Sequence, residues 1–347
     1  MPLDRDSVMA VLRTVQDPEL FKDLVTLNMV KDVAVTGSRV DVKIELTTPA
    51  CPLKDVIQKD VTNALKKIGA DTVNVEFTAN TRGGTKPRND LLPQVKNVIA
   101  VGAGKGGVGK STVALNVAVG LARSGASVGL MDGDIYGPSM PTMLGLKGMA
   151  PNVRGNKIIP FHLHGIHSIS IGVLVEQEKP LIWRGPMAHG AFKQLFADNT
   201  EWPDLDYLVV DLPPGTGDVS LTLCQLLPIT GAVIVATPQQ VALDDAIRAA
   251  RMFQQLGAPI LGVVENMRGD LFGSGGAEMA AQRLNLPFLG AIEQHKELRV
   301  NSDAGNPTAN FTGNPKLREE LEFIVRNLAG QVSVRNLSAP QVELNIS

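Results

Sequence analysis

The residues Gly104–Ser111 read GKGGVGKS and fit the pattern G-x-x-x-x-G-K-[ST]. Phosphate oxygens need donors at close range. Gly104, Gly106, Gly107, Val108 and Gly109 would let backbone N–H groups curl around them, and Thr112 follows at the mouth of the loop. Lys110 would neutralise the β- and γ-phosphate charge, and the Ser111 hydroxyl would hold Mg²⁺. A helix beginning here would add its N-terminal dipole. The expected ligand is therefore a nucleotide, held by its phosphates, with Mg²⁺. Lys105 is a second lysine inside the loop, and an ordinary phosphate loop does not require it.

Two further segments carry carboxylates suited to the same chemistry. Leu130–Ser139 reads LMDGDIYGPS. Asp134 would orient an attacking water, and Asp132 would buttress it or the Mg²⁺ shell. Tyr207–Asp218 reads YLVVDLPPGTGD, an apolar run ending in Asp211, as in a strand that brings a carboxylate near Mg²⁺. Pro213, Pro214 and Gly215 make a stiff turn with a permissive pivot, and the Gly215 N–H would sense a γ-phosphate, so that the loop acts as a switch. Asn266, in VVENM, follows another apolar run. By spacing alone it is a strand-end turn residue or an amide suited to an adenine edge.

These residues need a scaffold that brings separate strand ends together. Short apolar runs at Val98–Val101, Val128–Met131, Tyr207–Val210, Ala232–Ala236 and Ile260–Val264 alternate with helical stretches. Continuous rather than alternating apolar runs suit strands covered on both faces. The expected fold class is α/β, a parallel-sheet P-loop NTPase domain with ligands beyond the carboxyl ends of the strands. The first 80 residues read as a smaller α/β unit. Val40, Val42, Ile44 and Leu46 alternate with polar residues, Val73, Val75 and Phe77 do the same, and Leu53, Val56, Ile57, Val61 and Leu65 form a helix stripe. The expected division is 1–80 for that unit, 81–95 for a polar linker, 96–330 for the ATPase domain and 331–347 for a loosely attached polar tail.

The composition narrows the class. The chain has 347 residues, a formal charge of −2 and 44% hydrophobic residues, which fits two soluble domains. A near-zero net charge argues against nonspecific nucleic-acid binding. No apolar run reaches ~18 residues, so no membrane span or leader is expected and the location expected is cytoplasmic. Two cysteines, Cys51 and Cys224, exclude a disulfide framework and any cysteine-only metal site built from one chain.

The GKGGVGKS loop with its extra lysine resembles the deviant Walker A ATPases, relatives of MinD, ParA and the nitrogenase iron protein. That resemblance implies a homodimer in which Lys105 reaches the partner's phosphates and stabilises the transferring phosphoryl group. It also implies that Asn266 reads the adenine base. DGDIYGPS, DLPPGTGD, ENM, FGSGG and DAGNP together resemble the Mrp/ApbC branch, the iron–sulfur cluster carrier ATPases. DPEL at Asp17–Leu20, LNMV at Leu27–Val30 and TTPACPL at Thr47–Leu53 resemble the PaaD/SufT-type iron–sulfur assembly domain. The implied function is a dimeric ATP-hydrolysing carrier that binds iron–sulfur clusters and transfers them to apoproteins, working with assembly factors.

One departure bears on the cargo. The branch usually carries a Cys-x-x-Cys between the ENM asparagine and the FGSGG-like turn, but only Met267–Leu271 lie between Asn266 and Phe272. Cys51 is then the candidate iron–sulfur ligand, in a strand-to-helix loop where a helix N-terminus would activate a thiol. Cys224, in an apolar helical stretch, reads as core. An ATP-switched adaptor that holds no cluster, and a positioning ATPase like MinD or ParA, remain the competing readings. The tail VSVRNLSAPQVELNIS makes a poor membrane anchor. His162, His164 and His167 invite a metal reading, but the run has no carboxylate partner, so a hairpin with solvent-facing histidines is expected. His189 precedes a helix, in a loop that the resemblance puts near the dimer interface. Trp183 and Trp202 read as packing residues.

Overall fold

The computed structural model describes residues 3–18, 22–50, 53–81, 91–174, 192–193 and 199–338. Cys51, Trp183, His189 and most of the expected linker lie outside them, as do Glu19 and Leu20 of DPEL.

The chain opens with helix α1 (Arg5–Leu12), capped by the Asp4 carboxylate on the Ser7 N–H at 2.8 Å. Strands β1 (Val30–Thr36) and β2 (Arg39–Leu46) form an antiparallel pair. Helix α2 (Lys54–Lys67) then crosses to β3 (Thr72–Ala79), which runs parallel to β2. In β2 buried and less buried residues alternate strictly, because helices cover only one face of this three-stranded sheet. Val8, Leu12, Val42, Ile44, Val61 and Leu65 form its core.

The second sheet has eight strands. They are β4 (Val95–Gly102), β5 (Val128–Asp132), β8 (Phe161–Leu163), β9 (Ile166–Ser170), β10 (Leu205–Asp211), β11 (Ile229–Ala236), β12 (Ile260–Arg268) and β13 (Phe288–Glu293). A small separate hairpin supplies β6 (Asn152–Arg154) and β7 (Lys157–Ile159). The order across the sheet is β13-β12-β11-β4-β10-β5-β9-β8, and only the edge strand β8 is antiparallel to its neighbour. The central strands are buried almost end to end, as continuous apolar runs require.

Helix α3 (Lys110–Arg123) is apolar nearly all round. It packs against the sheet on one side and the long C-terminal helix (Pro315–Ser338) on the other. That last helix departs from the expected tail. It runs on to Ser338, and Val332 and Ser333 are buried. The sequence there is polar on average, but Val332 and Ser333 fall on the face that meets the rest of the fold.

The two sheets touch through the turn after β2. Tyr207, fully buried at the start of β10, donates its hydroxyl to Thr48 Oγ1 at 2.8 Å. Thr47 Oγ1 donates to Ser333 Oγ at 2.9 Å, and Ala50 packs into the core around α3. Trp202 is buried, as a packing residue should be.

Candidate nucleotide site

Strand register gathers the charged residues. Asp211 at the end of β10 is level with Val101 on β4 and Asp132 on β5, and Asp132 is level with Ser170 on β9. The glycine loop leaves β4 just beyond Val101. The loop and both carboxylate segments therefore meet at the carboxyl ends of three adjacent strands, where open α/β sheets bind ligands.

The loop is held from two sides. A Cβ on Gly104 would lie 2.0 Å from the Asp245 carbonyl oxygen, so this glycine lets the helix Gln240–Gln255 pack against the loop. Gly109 has φ +79°, and a Cβ there would lie 2.1 Å from the Asn266 amide nitrogen. Asn266, buried at the end of β12, donates that amide to the Val108 carbonyl at 2.8 Å. It braces the loop and also lines a cavity of about 790 Å³ with Thr112, Met267, Phe272, Gln294 and His295.

Lys110, itself buried, donates to Asp211 Oδ1 at 2.5 Å and lies 3.6 Å from Asp134 Oδ2. It also reaches Ser111 Oγ at 3.2 Å. The other Asp211 oxygen, Oδ2, is buried without a hydrogen-bond partner. Burial pushes the Asp211 carboxyl up, against the pull of Lys110. Asp132 is fully buried. It accepts from Ser170 Oγ at 2.6 Å and from the Asp134 N–H at 3.2 Å. Burial and the Asp211 charge push its carboxyl up to about 7. Asp134 Oδ1 accepts from the Tyr136 and Gly137 N–H groups, both at 3.3 Å, which leaves Oδ2 turned towards Lys110. An orphaned carboxylate oxygen beside a serine hydroxyl is an oxygen donor set of the kind Mg²⁺ takes, so Ser111 and Asp211 fit that ion. Asp132, whose oxygens accept from Ser170 and from the Asp134 N–H, is placed to support Asp134.

Lys105 is half-buried and makes no side-chain ion pair or hydrogen bond among the described residues. The Gly215 N–H is committed, donating to the Ala103 carbonyl at 2.9 Å. The pivot expected to sense a phosphate is thus latched to the strand that carries the glycine loop. Cys224 is core: burial pushes its thiol up to about 12, so it offers no thiolate.

The missing Cys-x-x-Cys has a local structural counterpart. After Asn266 the chain closes at once, with the Gly269 and Gly273 N–H groups donating to each other's carbonyls at 3.0 and 2.7 Å. Buried Glu265 pins the far side. It accepts from Arg268 Nε, the Gly275 N–H and the Ala277 N–H at 2.8–2.9 Å, the last two at the start of the helix Gly276–Arg283. Sequence reasoning missed Glu265 and Ser170. Ser170 belongs to no quoted motif, and Glu265 stands within ENM without a role of its own, although an acidic residue inside the apolar run of β12 is a signal that it must be paired.

Fold and site define a P-loop NTPase of the ParA and MinD type. Residues 94–329 match the family model of the NUBPL iron-transfer P-loop NTPases, and residues 5–77 match that of an iron–sulfur cluster assembly protein. The chain is 49% identical over 352 residues to the iron–sulfur cluster carrier protein of Synechocystis, covering 96% of this chain and 99% of that one. It is 48% identical over 347 residues to the protein of the same name in Deinococcus radiodurans, covering 96% and 97%. Among solved structures, a nucleotide-binding protein of Archaeoglobus fulgidus in complex with ADP is 35% identical, with a TM-score of 0.56 over 64% of this chain and 93% of that one. The cell-division ATPase MinD of Pyrococcus furiosus shares the fold, with a TM-score of 0.54 at 22% identity, over 67% and 98%. The chain belongs to the family of iron–sulfur cluster carrier proteins. Among the described residues no helix is long and apolar enough to cross a membrane.

Proposed function

We propose that this chain binds and hydrolyses ATP as a homodimer and uses that cycle to carry iron–sulfur clusters to apoproteins. The observation that carries the reading is the meeting of Lys110, Ser111, Asp134 and Asp211 at one strand-end level beneath a glycine loop. Incoming phosphates take Lys110 away from Asp211 and Asp134. Asp134 Oδ2 is then free to accept a proton from, or orient, the attacking water. Mg²⁺ bound between Ser111 and Asp211 would neutralise phosphate charge. Adenine fits the cavity beside Asn266 and Thr112, with Gln294 on its wall. Release of the Gly215 N–H from Ala103 couples phosphate binding to movement of the Asp211–Asp218 loop. Lys105, without a side-chain partner among the described residues, suits reach towards a second subunit, and Leu271, 82% exposed on the shortened turn, suits cover by one.

The cargo is carried without the usual thiol pair. Cys224 is excluded by burial, so Cys51, supplemented by a second subunit or a partner protein, is the ligand proposed. Anaerobic reconstitution with iron and sulfide tests this. Cluster absorbance should survive Cys224→Ala and vanish in Cys51→Ala. Absence of any cluster in the unaltered chain would move it to the adaptor role. ATP-dependent sedimentation with liposomes or DNA would instead support the positioning reading. Unchanged ATP turnover in Lys110→Ala or Asp134→Ala would overturn the site.

A further inference from the structure

A chain of three asparagines runs between the two sides of the nucleotide site. Asn116 stands on α3, one turn after Thr112, and donates its amide to the Thr112 carbonyl at 2.8 Å. Asn310, in the 3₁₀ turn Pro307–Phe311, donates to Asn116 Oδ1 at 2.9 Å. Asn301, on the helix Lys296–Asp303, donates to Asn310 Oδ1 at 3.0 Å. Asn116 and Asn310 are buried, and Asn301 is half-buried.

The Thr112 carbonyl fixes the sense of all three amides. It can only accept, so Asn116 turns its NH₂ towards it and its oxygen towards Asn310. Asn310 must then give its NH₂ to Asn116 and its oxygen to Asn301. Each amide is oriented by the one before it. A buried polar chain satisfied link by link holds the elements it joins in one arrangement, because any slip strands a donor or an acceptor in the core.

The elements joined are two walls of the cavity beside the glycine loop. Thr112, which follows Lys110 by two residues, lines it from the phosphate side. Leu298, Arg299, Ser302 and Asp303 line it from the helix Lys296–Asp303. That helix has little apolar hold of its own, since only Leu298 and Ser302 are buried along it. Just beyond its carboxyl end a Cβ on Gly305 would lie 2.6 Å from Gly145, and at its amino end His295 Nε2 lies 2.8 Å from Glu320. Those two contacts fasten the helix to its neighbours. The asparagine chain is what ties it to α3, the helix that carries Lys110 and Ser111.

We propose that Asn116, Asn301 and Asn310 are positioning residues for the nucleotide base. They hold the helix Lys296–Asp303 at the separation from the glycine loop that lets one ligand place its phosphates on the loop and its base in the cavity. The inference rests on the reading that adenine occupies this cavity. None of the three is among the residues that line it, so they act through its walls. Interrupting the chain loosens the grip on the base and spares the grip on the phosphates.

The test compares, by calorimetry on the full chain with Mg²⁺, the affinity for ATP with that for tripolyphosphate, which carries the phosphates and no base. The unaltered chain should prefer ATP. Asn310→Leu keeps the branched shape and removes the amide. It should cut that preference about tenfold, raising the Kd for ATP while that for tripolyphosphate stays within about twofold. Asn301→Ala, at the half-buried end of the chain, should cut it about threefold, and it decides alone if Asn310→Leu does not fold. The two together should do no more than Asn310→Leu, because they interrupt one chain. Tyr207→Phe, which loses a buried polar contact at the other end of the sheet, is the control and should leave the preference unchanged. A general loosening of the fold weakens both ligands alike. An unchanged preference in the asparagine variants therefore overturns the inference, and so do losses that add in the double variant. If the unaltered chain itself shows no preference for ATP, the base reading fails and the inference falls with it.

Discussion

The central sheet has two ends that do opposite things with polar groups. At the carboxyl ends, Lys110, Asp132, Asp134 and Asp211 are buried charges held against one another, and one carboxylate oxygen lacks a partner. At the amino ends, Tyr207 and Thr48 pair hydroxyl to hydroxyl, and Asn336 donates to Asn97 at 2.9 Å. One end is under-satisfied and expects a ligand. The other is closed: these buried contacts join uncharged groups, and its ion pair, Lys96 with Asp206 at 2.9 Å, lies partly exposed at the rim. A buried carboxylate oxygen without a partner, set beneath a phosphate loop, marks a place where the molecule still has something to bind. Strand β10 takes part in both ends. Tyr207 and Asp211 lie four residues apart on it, about 13 Å.

The sharpest way to break this comparison is at the charged end. Lys110→Ala should lower ATP turnover by about 10³-fold or more, since it deletes the cation proposed to meet the phosphates. It also leaves Asp211 and Asp134 buried without their counter-charge, so the empty variant should be destabilised by roughly 3–5 kcal/mol in urea melts. Retained turnover would show that the phosphates sit elsewhere.

Next in size is the pH response of Asp132 in the empty, metal-free chain. Its folded carboxyl is raised from 3.8 to about 7, so the folded state binds more protons than the unfolded one across that window. The stability that this proton contributes is full below the unfolded value and is lost as pH rises towards 7. The loss is on the order of 4 kcal/mol at most. Asp132→Asn should flatten the fall in stability between about pH 5 and 7 relative to the unaltered chain. An identical slope in the two proteins would mean that Asp132 stays ionised throughout.

The closed end gives smaller effects. Tyr207→Phe deletes the buried hydroxyl contact to Thr48 and leaves Thr48 Oγ1, among the described residues, with the Ala50 N–H at 3.3 Å. The expected loss is about 1–2 kcal/mol of stability with ATP affinity unchanged, read by urea melts and nucleotide titration. Thr47→Ala removes a partly buried contact to Ser333 and should lose about 0.5–1 kcal/mol. If either variant weakened ATP binding tenfold, the two ends would be energetically linked and the division would fail.

The charged end was far more legible in sequence than the closed one. A phosphate site needs glycines and a lysine at fixed spacing within one loop, so Gly104–Ser111 announces itself. The parallel sheet was equally readable, because strands buried on both faces leave unbroken apolar runs such as Val98–Val101. The contact of Tyr207 with Thr48 joins residues 159 apart in sequence through a single hydrogen bond, and no local pattern marks it. Val332 and Ser333 look like tail in sequence because average polarity hides one buried helix face. The latch of Gly215 on Ala103 was invisible for a third reason: a backbone N–H carries no residue type to signal where it points.

The pairing of Lys110 with Asp211 and Asp134 also bears on which anions the empty loop admits. A glycine loop with a free lysine would trap any small oxyanion. Here the cation is already neutralised from within, so a lone sulfate or inorganic phosphate must break a buried ion pair and offers too few contacts in return. On the proposed reading, a nucleoside triphosphate arriving with its metal would replace both halves of the pair at once, matching the lysine with phosphate and the carboxylate with the ion. The resting contact would then act as a filter against simple anions that can satisfy only one half.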